Sequence, residues 1–201
     1  MNIGIIVGSH RKDSQSGKVG RYLAARLQTL GADAWVLDLG EEPLPLWDED
    51  LGSGEGRWEF LPDLTSRLQA SDGFVIVSPE WHGMATSAIK NFFLLCNINS
   101  GLAHKPAMIT TVSVADGGAY VVAELRTSSY KNNRLCYIPE QLVVRNVGQV
   151  FNSDPEANHA EAHDYFVERA DYTLKLLLAY SDALAGLRAE GVDLESYPNG
   201  M

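Results

Sequence analysis

NIGIIVGSHRKDSQSG, residues 2–17, decides the fold. An apolar run, Ile3 to Val7, delivers the chain to a polar turn, Gly8 to Gly17, and a helical pattern follows from Lys18, with Val19, Leu23, Leu27 and Leu30 at helical spacing up to Gly31. Ala34 to Leu39 is then a second short apolar run. Strand, helix and strand joined this closely form a βαβ unit, which implies a parallel sheet and a right-handed crossover. The turn itself suits a phosphate. Ser9, Ser14 and Ser16 supply hydroxyls, Arg11 a planar guanidinium fork, and the starting helix a set of unpaired N–H groups. An ordinary strand-to-helix loop with Ser16 as N-cap is the alternative on spacing alone. GxxxxGK[ST] and GxGxxG are both absent, so the turn is neither a P-loop nor the dinucleotide fingerprint, and Asp38 reads as a strand-end residue.

Working outward, residues 41–58 are too rich in Pro, Gly and acid for a regular element and read as a lid, an interface loop or plain surface. A helix over about 60–70 leads into Gly73 to Val77, apolar enough for a central strand buried on both faces. That strand ends in SPEWHGM, residues 78–84, where Pro79 fixes the turn, Gly83 relaxes it, and Trp81 either covers a planar ring or packs on the sheet or a partner subunit. Another helix spans 86–95. A fourth strand, 106–114, ends in SVADGGAY, where Gly117 and Gly118 allow close backbone approach ahead of a helix over 119–128. Arg126, Lys131 and Arg134 either receive an anionic second substrate or lie on a solvated face, and no role is assigned to them. A short strand, 141–144, precedes a long helix expected to start at Ser153-Asp154-Pro155-Glu156 and to reach about Leu184. His159 and His163, at i and i+4, read as an exposed first helical turn rather than a metal pair.

Five βα units in this order give an α/β, flavodoxin-like, doubly wound three-layer sandwich with a five-stranded parallel sheet, order 2-1-3-4-5. Residues 1–185 form that domain and 186–201 a polar tail expected to fray or to lie on a neighbour. The loops after strands one, three and four then share one rim.

A length of 201 residues suits one domain, and a net charge of −10 argues against nucleic acid or an anionic membrane as partner. Cys96 and Cys136 form no CxxC and fit free thiols of a reducing cytoplasm. No leader and no run long enough to span a membrane is read, so an unprocessed, soluble protein is expected.

With those residues in place, the chain resembles the NADPH-dependent FMN reductase family, flavodoxin-like quinone, azo-dye and chromate reductases. The resemblance covers most of residues 2–150. It is carried by GSxRxxS at Gly8, Ser9, Arg11 and Ser14, by LPLWDED at 44–50, by SPEW...IKN from Ser78 to Asn91, and by Gly117-Gly118. It implies that Ser9, Arg11, Ser14, Ser16 and Gly17 hold the FMN phosphate. It also implies that Pro79, Glu80, Trp81, His82 and Gly83 lie along the isoalloxazine, and that the loop from Ser113 to Gly118 completes the ring site. Ser16, Trp81 and His82 stand where relatives often carry Asn, Tyr and Asn, and Ala85-Thr86-Ser87-Ala88 replaces a usual Pro-Gly pair. The activity so implied is electron transfer from NADPH or NADH through FMN to a small-molecule acceptor, in a homodimer or homotetramer. An FMN-binding electron carrier or redox sensor with a protein partner is the alternative. No catalytic side chain and no metal is expected, because the cofactor carries the chemistry.

Overall fold

The structure is a computed structural model and describes residues 1–199. In chain order the elements are β1 (Asn2–Val7), α1 (Gln15–Thr29), β2 (Asp33–Asp38), α2 (Leu61–Gln69), β3 (Gly73–Trp81), β4 (Met84–Ala85), α3 (Ser87–Leu95), β5 (Pro106–Val112), α4 (Ala119–Ser128), β6 (Cys136–Val144) and α5 (Ala160–Ala189). The parallel strands run β2-β1-β3-β5-β6, and β4 pairs antiparallel with the end of β3. Without β4, this is the expected order 2-1-3-4-5. The extra strand arises because β3 continues through Pro79, Glu80 and Trp81 instead of ending at Val77.

Strand side chains alternate between the two faces of the sheet, so each strand feeds two cores. Ile3, Ile5, Val75 and Val77 meet Leu23 and Leu27 of α1 and Leu174 and Leu177 of α5 on one face. Ile6, Phe74, Ile76 and Ile109 meet α2, α3 and α4 on the other, through Leu68, Ile89, Phe92 and Leu125. This three-layer packing brings the carboxyl ends of β1, β3 and β5 side by side.

Four boundaries differ from the sequence reading. α1 begins at Gln15, with Ser14 and not Ser16 as N-cap, so Ser16 and Gly17 belong to the helix and not the turn. β6 begins at Cys136, five residues before the expected start, with a bulge opposite Ala107 to Ile109. Pro139 is tolerated there because β6 lies at the sheet edge. Asp154 and Pro155 do start a helical turn, but it is a 3-10 turn ending at Ala157. α5 starts at Ala160, capped by His159, and runs to Ala189, through the expected 185/186 division. Of the tail, residues 190–199 fold back far enough for the Tyr197 carbonyl to accept from Arg134, and Gly200 and Met201 lie outside the described residues. Arg126 is also not a solvated charge: it donates to the carbonyls of Ile138 and Pro139 and to Gln141 Oε1. No helix among the described residues is long and apolar enough to cross a membrane.

Lys105 is a buried cation that donates to the last carbonyls of α2, at Leu68 and Gln69, 2.8 Å each. Burial, with Arg188 nearby, pushes it down to about 8. The unfolded chain therefore binds the extra proton between about pH 8 and the ordinary lysine value, and stability contributed by this group rises with pH in that window. Cys96, pushed up to about 12 by burial, works in the opposite direction above its ordinary value. Urea midpoints at pH 8 and pH 10 for the protein and for Lys105→Met separate the two. The difference between them should shift by on the order of 1 kcal/mol in the expected direction, and a pH-independent difference would remove the assignment.

Candidate functional site

The first loop is built by β1 ending at Val7, level with the end of β2, where β3 continues to Trp81. Gly8 N–H donates to the Val77 carbonyl at 2.7 Å, Ser9 is buried, and its Oγ accepts from Arg11 N–H at 3.2 Å. Asp13 takes a left-handed conformation, φ 49°, and gives its N–H to the Glu41 carboxylate. Ser14 Oγ then accepts from Gly17 N–H at 2.9 Å and starts α1. The N–H groups of Ser9, His10 and Lys12 take no partner among the described residues, and those of Gln15 and Ser16 open the first helical turn. Arg11 is exposed and pairs with no carboxylate among the described residues; its guanidinium lies 5.3 Å from the centroid of the Trp81 ring. Beneath the loop, Asp38 is buried, and burial raises its pKa against the pull of Gly40 N–H and Arg21.

The second loop is a hairpin. Glu80 pairs with Ala85 and Trp81 with Met84, and the two turn residues, His82 and Gly83, have φ of 52° and 74°. Positive φ at both central positions is the type I′ geometry that matches strand twist, which is why Gly83 serves here. Without a Pro-Gly pair, the path to α3 is set by Thr86, which caps that helix and donates its hydroxyl to the Gly8 carbonyl. His10 completes the junction. Its Nε2 accepts from Ala88 N–H at 3.1 Å and bonds Ser87 Oγ at 2.8 Å, while its ring stacks on Trp81 at 5.8 Å.

In the third loop, Ser113 N–H continues the sheet to the Val144 carbonyl, and Ser113 Oγ accepts from Ala115 N–H. Gly118 sits at φ 110° ahead of α4. The Glu80 carboxylate accepts from Gly118 N–H at 2.8 Å and Tyr120 N–H at 3.2 Å. A carboxylate at a helix N-terminus is favourable, and here it occupies the donors that the sequence reading left open for a ligand. Gly117 lies against the same carboxylate. Thr111 Oγ1, buried beneath this loop, has no hydrogen-bond partner among the described residues.

All three expected loops thus meet on one rim. Ser9, Arg11, Ser14, Ser16 and Gly17 form its floor on one side, Pro79 to Gly83 the middle, and Ser113, Gly117 and Gly118 the far side. Pro79 is buried in β3 opposite Val112, as Ser9, Ser14, Ser16 and Gly17 are in the first loop. His163 Nδ1 accepts from Phe151 N–H and His159 caps α5, so both rings serve backbone donors. His10, Thr86 and Asn91 join the site although the residue reading gave them no role. Thr86 carried a signal, a hydroxyl just before an apolar helical run. His10 carried none.

Asn91, buried in α3, accepts from Trp47 N–H at 2.9 Å and donates to the Pro45 carbonyl at 2.8 Å, which straps the 44–50 stretch over the helix. Asn91→Ala should cost about 1–2 kcal/mol and speed proteolytic nicking within residues 45–58, read by mass spectrometry of timed digests. Equal nicking rates would deny the strap its anchor.

A profile of the family described as NADPH-dependent FMN reductase matches residues 1–149. The chain belongs to that family. It is an oxidoreductase family that works with FMN and NADPH, and the matched residues include all three loops. The chain is 29% identical over 118 residues to an NADPH azoreductase of Bacillus sp. (strain OY1-2), covering 59% of this chain and 61% of that protein. It is 29% identical over 89 residues to an FMN-dependent NADPH-azoreductase of Staphylococcus aureus (strain USA300), covering 43% and 47%. The matches therefore span about half to three fifths of those relatives. Among solved structures, FerB, a flavoenzyme NAD(P)H:(acceptor) oxidoreductase from Paracoccus denitrificans, superposes with a TM-score of 0.67 at 20% identity, over 92% of this chain and 97% of that one. At that identity the likeness is one of fold.

Proposed function

We propose that this family member binds FMN on the three-loop rim and passes electrons from NADPH or NADH to a small-molecule acceptor. The observation that carries the reading is Arg11: an uncommitted guanidinium beside the unpartnered N–H groups of Ser9, His10 and Lys12 at the start of α1. In a chain of net charge −10, such a cradle is a local device for an anion. The donor set fits a phosphate monoester, and the hairpin and third loop offer backbone groups and the Trp81 ring to a flat heterocycle.

When bound, FMN supplies the redox chemistry, taking a hydride from the nicotinamide and giving electrons to the acceptor. Ser9, Arg11, Ser14, Ser16 and Gly17 then hold and orient the phosphate end. Trp81, His82 and Gly83 border the ring, and Glu80 fixes the spacing of the second and third loops by holding Gly118 and Tyr120 rather than touching the ligand. Gly117 lets the third loop approach closely. Quinones, azo compounds, metal oxyanions and free flavin are the acceptor classes of this reading. Leu46, Trp47, Met84 and Leu94 are large apolar side chains exposed around the rim and α3, which supports a homodimer or homotetramer that shelters the site. Two free cysteines support a cytoplasmic setting.

Adding FMN, removing the excess and mixing anaerobically with NADPH tests the proposal. Retained flavin should lose its visible absorption on the scale of seconds or faster for a turnover enzyme. Flavin that is retained and stays oxidised with both nicotinamides would favour an electron carrier reduced by a protein partner. No retained flavin would overturn the reading.

A further inference from the structure

On the opposite edge of the sheet, at the amino ends of β5 and β6, cations gather, with Asp72 close enough to act on Lys105. His104 and Lys105 precede β5, Arg134 precedes β6, and Arg188 lies in the last turn of α5. Their backbones are tied together: His104 N–H donates to the Arg134 carbonyl at 2.9 Å, and Arg188 Nη1 donates to the His104 carbonyl at 3.2 Å. None of the four makes an ion pair among the described residues. In the tail, Asp193 accepts from Glu195 N–H and from Ser196, and the Tyr197 carbonyl accepts from Arg134.

Two observations make this more than a patch of surface charge. His104 Nε2 and Arg134 Nε are both shut off from water with no hydrogen-bond partner, a state that buried polar atoms rarely keep. Two cavities, of about 500 Å³ and 380 Å³, both border His104. The first is lined by Lys131, Arg134 and Tyr130, the second by Lys105 and Arg188. His104 and Arg134 are also held at φ 56° and 58°, conformations that side chains other than glycine adopt at a cost. Like charges meet here: after burial, Arg134 and Arg188 hold the His104 ring below the usual histidine range.

We propose that the larger of these two cavities binds a small oxyanion, a phosphate or a carboxylate, against the His104 ring and the Arg134 guanidinium, with Lys131 beside them and Arg188 adding its charge from its bond to the His104 carbonyl. Planar guanidinium forks and an imidazole N–H match the oxygens of either group, and an anion relieves the repulsion among the cations. The site is separated from the three-loop rim by the length of the sheet, so it is a second anion site and does not depend on the FMN reading.

The test follows the ring nitrogens of the five histidines in 15N-labelled, FMN-saturated protein, titrated with inorganic phosphate and then with acetate at constant ionic strength. His104, assigned through His104→Gln, should shift and saturate while His10, His82, His159 and His163 stay fixed. Arg188→Gln and Arg134→Gln should each weaken the response by ~10-fold. Response to phosphate alone, or to acetate alone, identifies which oxyanion the site takes. A His104 signal that moves with neither anion would overturn the proposal, as would a saturating shift that survives both arginine variants unweakened.

Discussion

Arg11→Ala lowers FMN affinity by about 10- to 100-fold, the equivalent of the ~1.5–3 kcal/mol carried by hydrogen bonds to a charged group. The expectation is this large because nothing nearby substitutes for the guanidinium. Lys12 is exposed but offers a point charge on a flexible stem, and the acids under the loop, Asp38, Glu41 and Asp13, bias the local field against an anion. The fold should be indifferent to the change. Arg11 is exposed, and its one recorded side-chain contact is the face of Trp81. Quenching of flavin fluorescence in a titration gives the dissociation constant, and a urea midpoint confirms the unchanged fold. Arg11→Lys should recover part of the loss. Affinity unchanged in Arg11→Ala would remove Arg11 from the phosphate site and with it the observation on which the proposed function rests.

The parts of this site legible in the sequence are those that one segment carries by itself. Hydroxyls and an arginine between an apolar strand and a helical pattern mark the first loop without reference to any other residue. Local signals also mislead locally. Ser14 and Ser16 are both competent caps, and the bond from Gly17 N–H to Ser14 Oγ is what shows that the helix has already begun. Asp154 and Pro155 are a true cap and a true first-turn proline, but of a 3-10 turn, because Asn152 and Asn158 tie that segment to itself before α5 starts. Pro139 and Glu140 are poor strand residues by local preference, and an edge position with a bulge is what admits them to β6. The couplings between loops were not legible at all. Glu80 to Gly118, His10 to Ala88 and Asn91 to Pro45 each join segments that only the closed sheet brings together.

That coupling makes Gly118→Val the most damaging single change expected in the third loop, at about 4 kcal/mol. A left-handed backbone at φ 110° costs a β-branched residue ~1–3 kcal/mol, and overpacking adds ~1–3 kcal/mol. The added Cβ would stand 2.7 Å from Thr111 Oγ1, buried on β5, and 2.8 Å from Val143 Cγ1, half-buried on β6, both β-branched side chains stiff at χ1. Gly117 provides the contrast. A Cβ there would also come within 2.7 Å of a neighbour, but that neighbour is Glu80 Oε1, the end of a side chain that can swing. Gly117→Ala should therefore cost well under half of what Gly118→Val costs. Its effect should fall instead on the Glu80 bridge and so on flavin affinity. Urea denaturation with unchanged m-values measures the first effect and a flavin titration the second. If both variants lose stability equally, steric space alone governs the loop. If Gly118→Val unfolds at the urea concentration of the unmodified protein, the left-handed turn that seats Gly118 against Glu80 is not the one the protein uses.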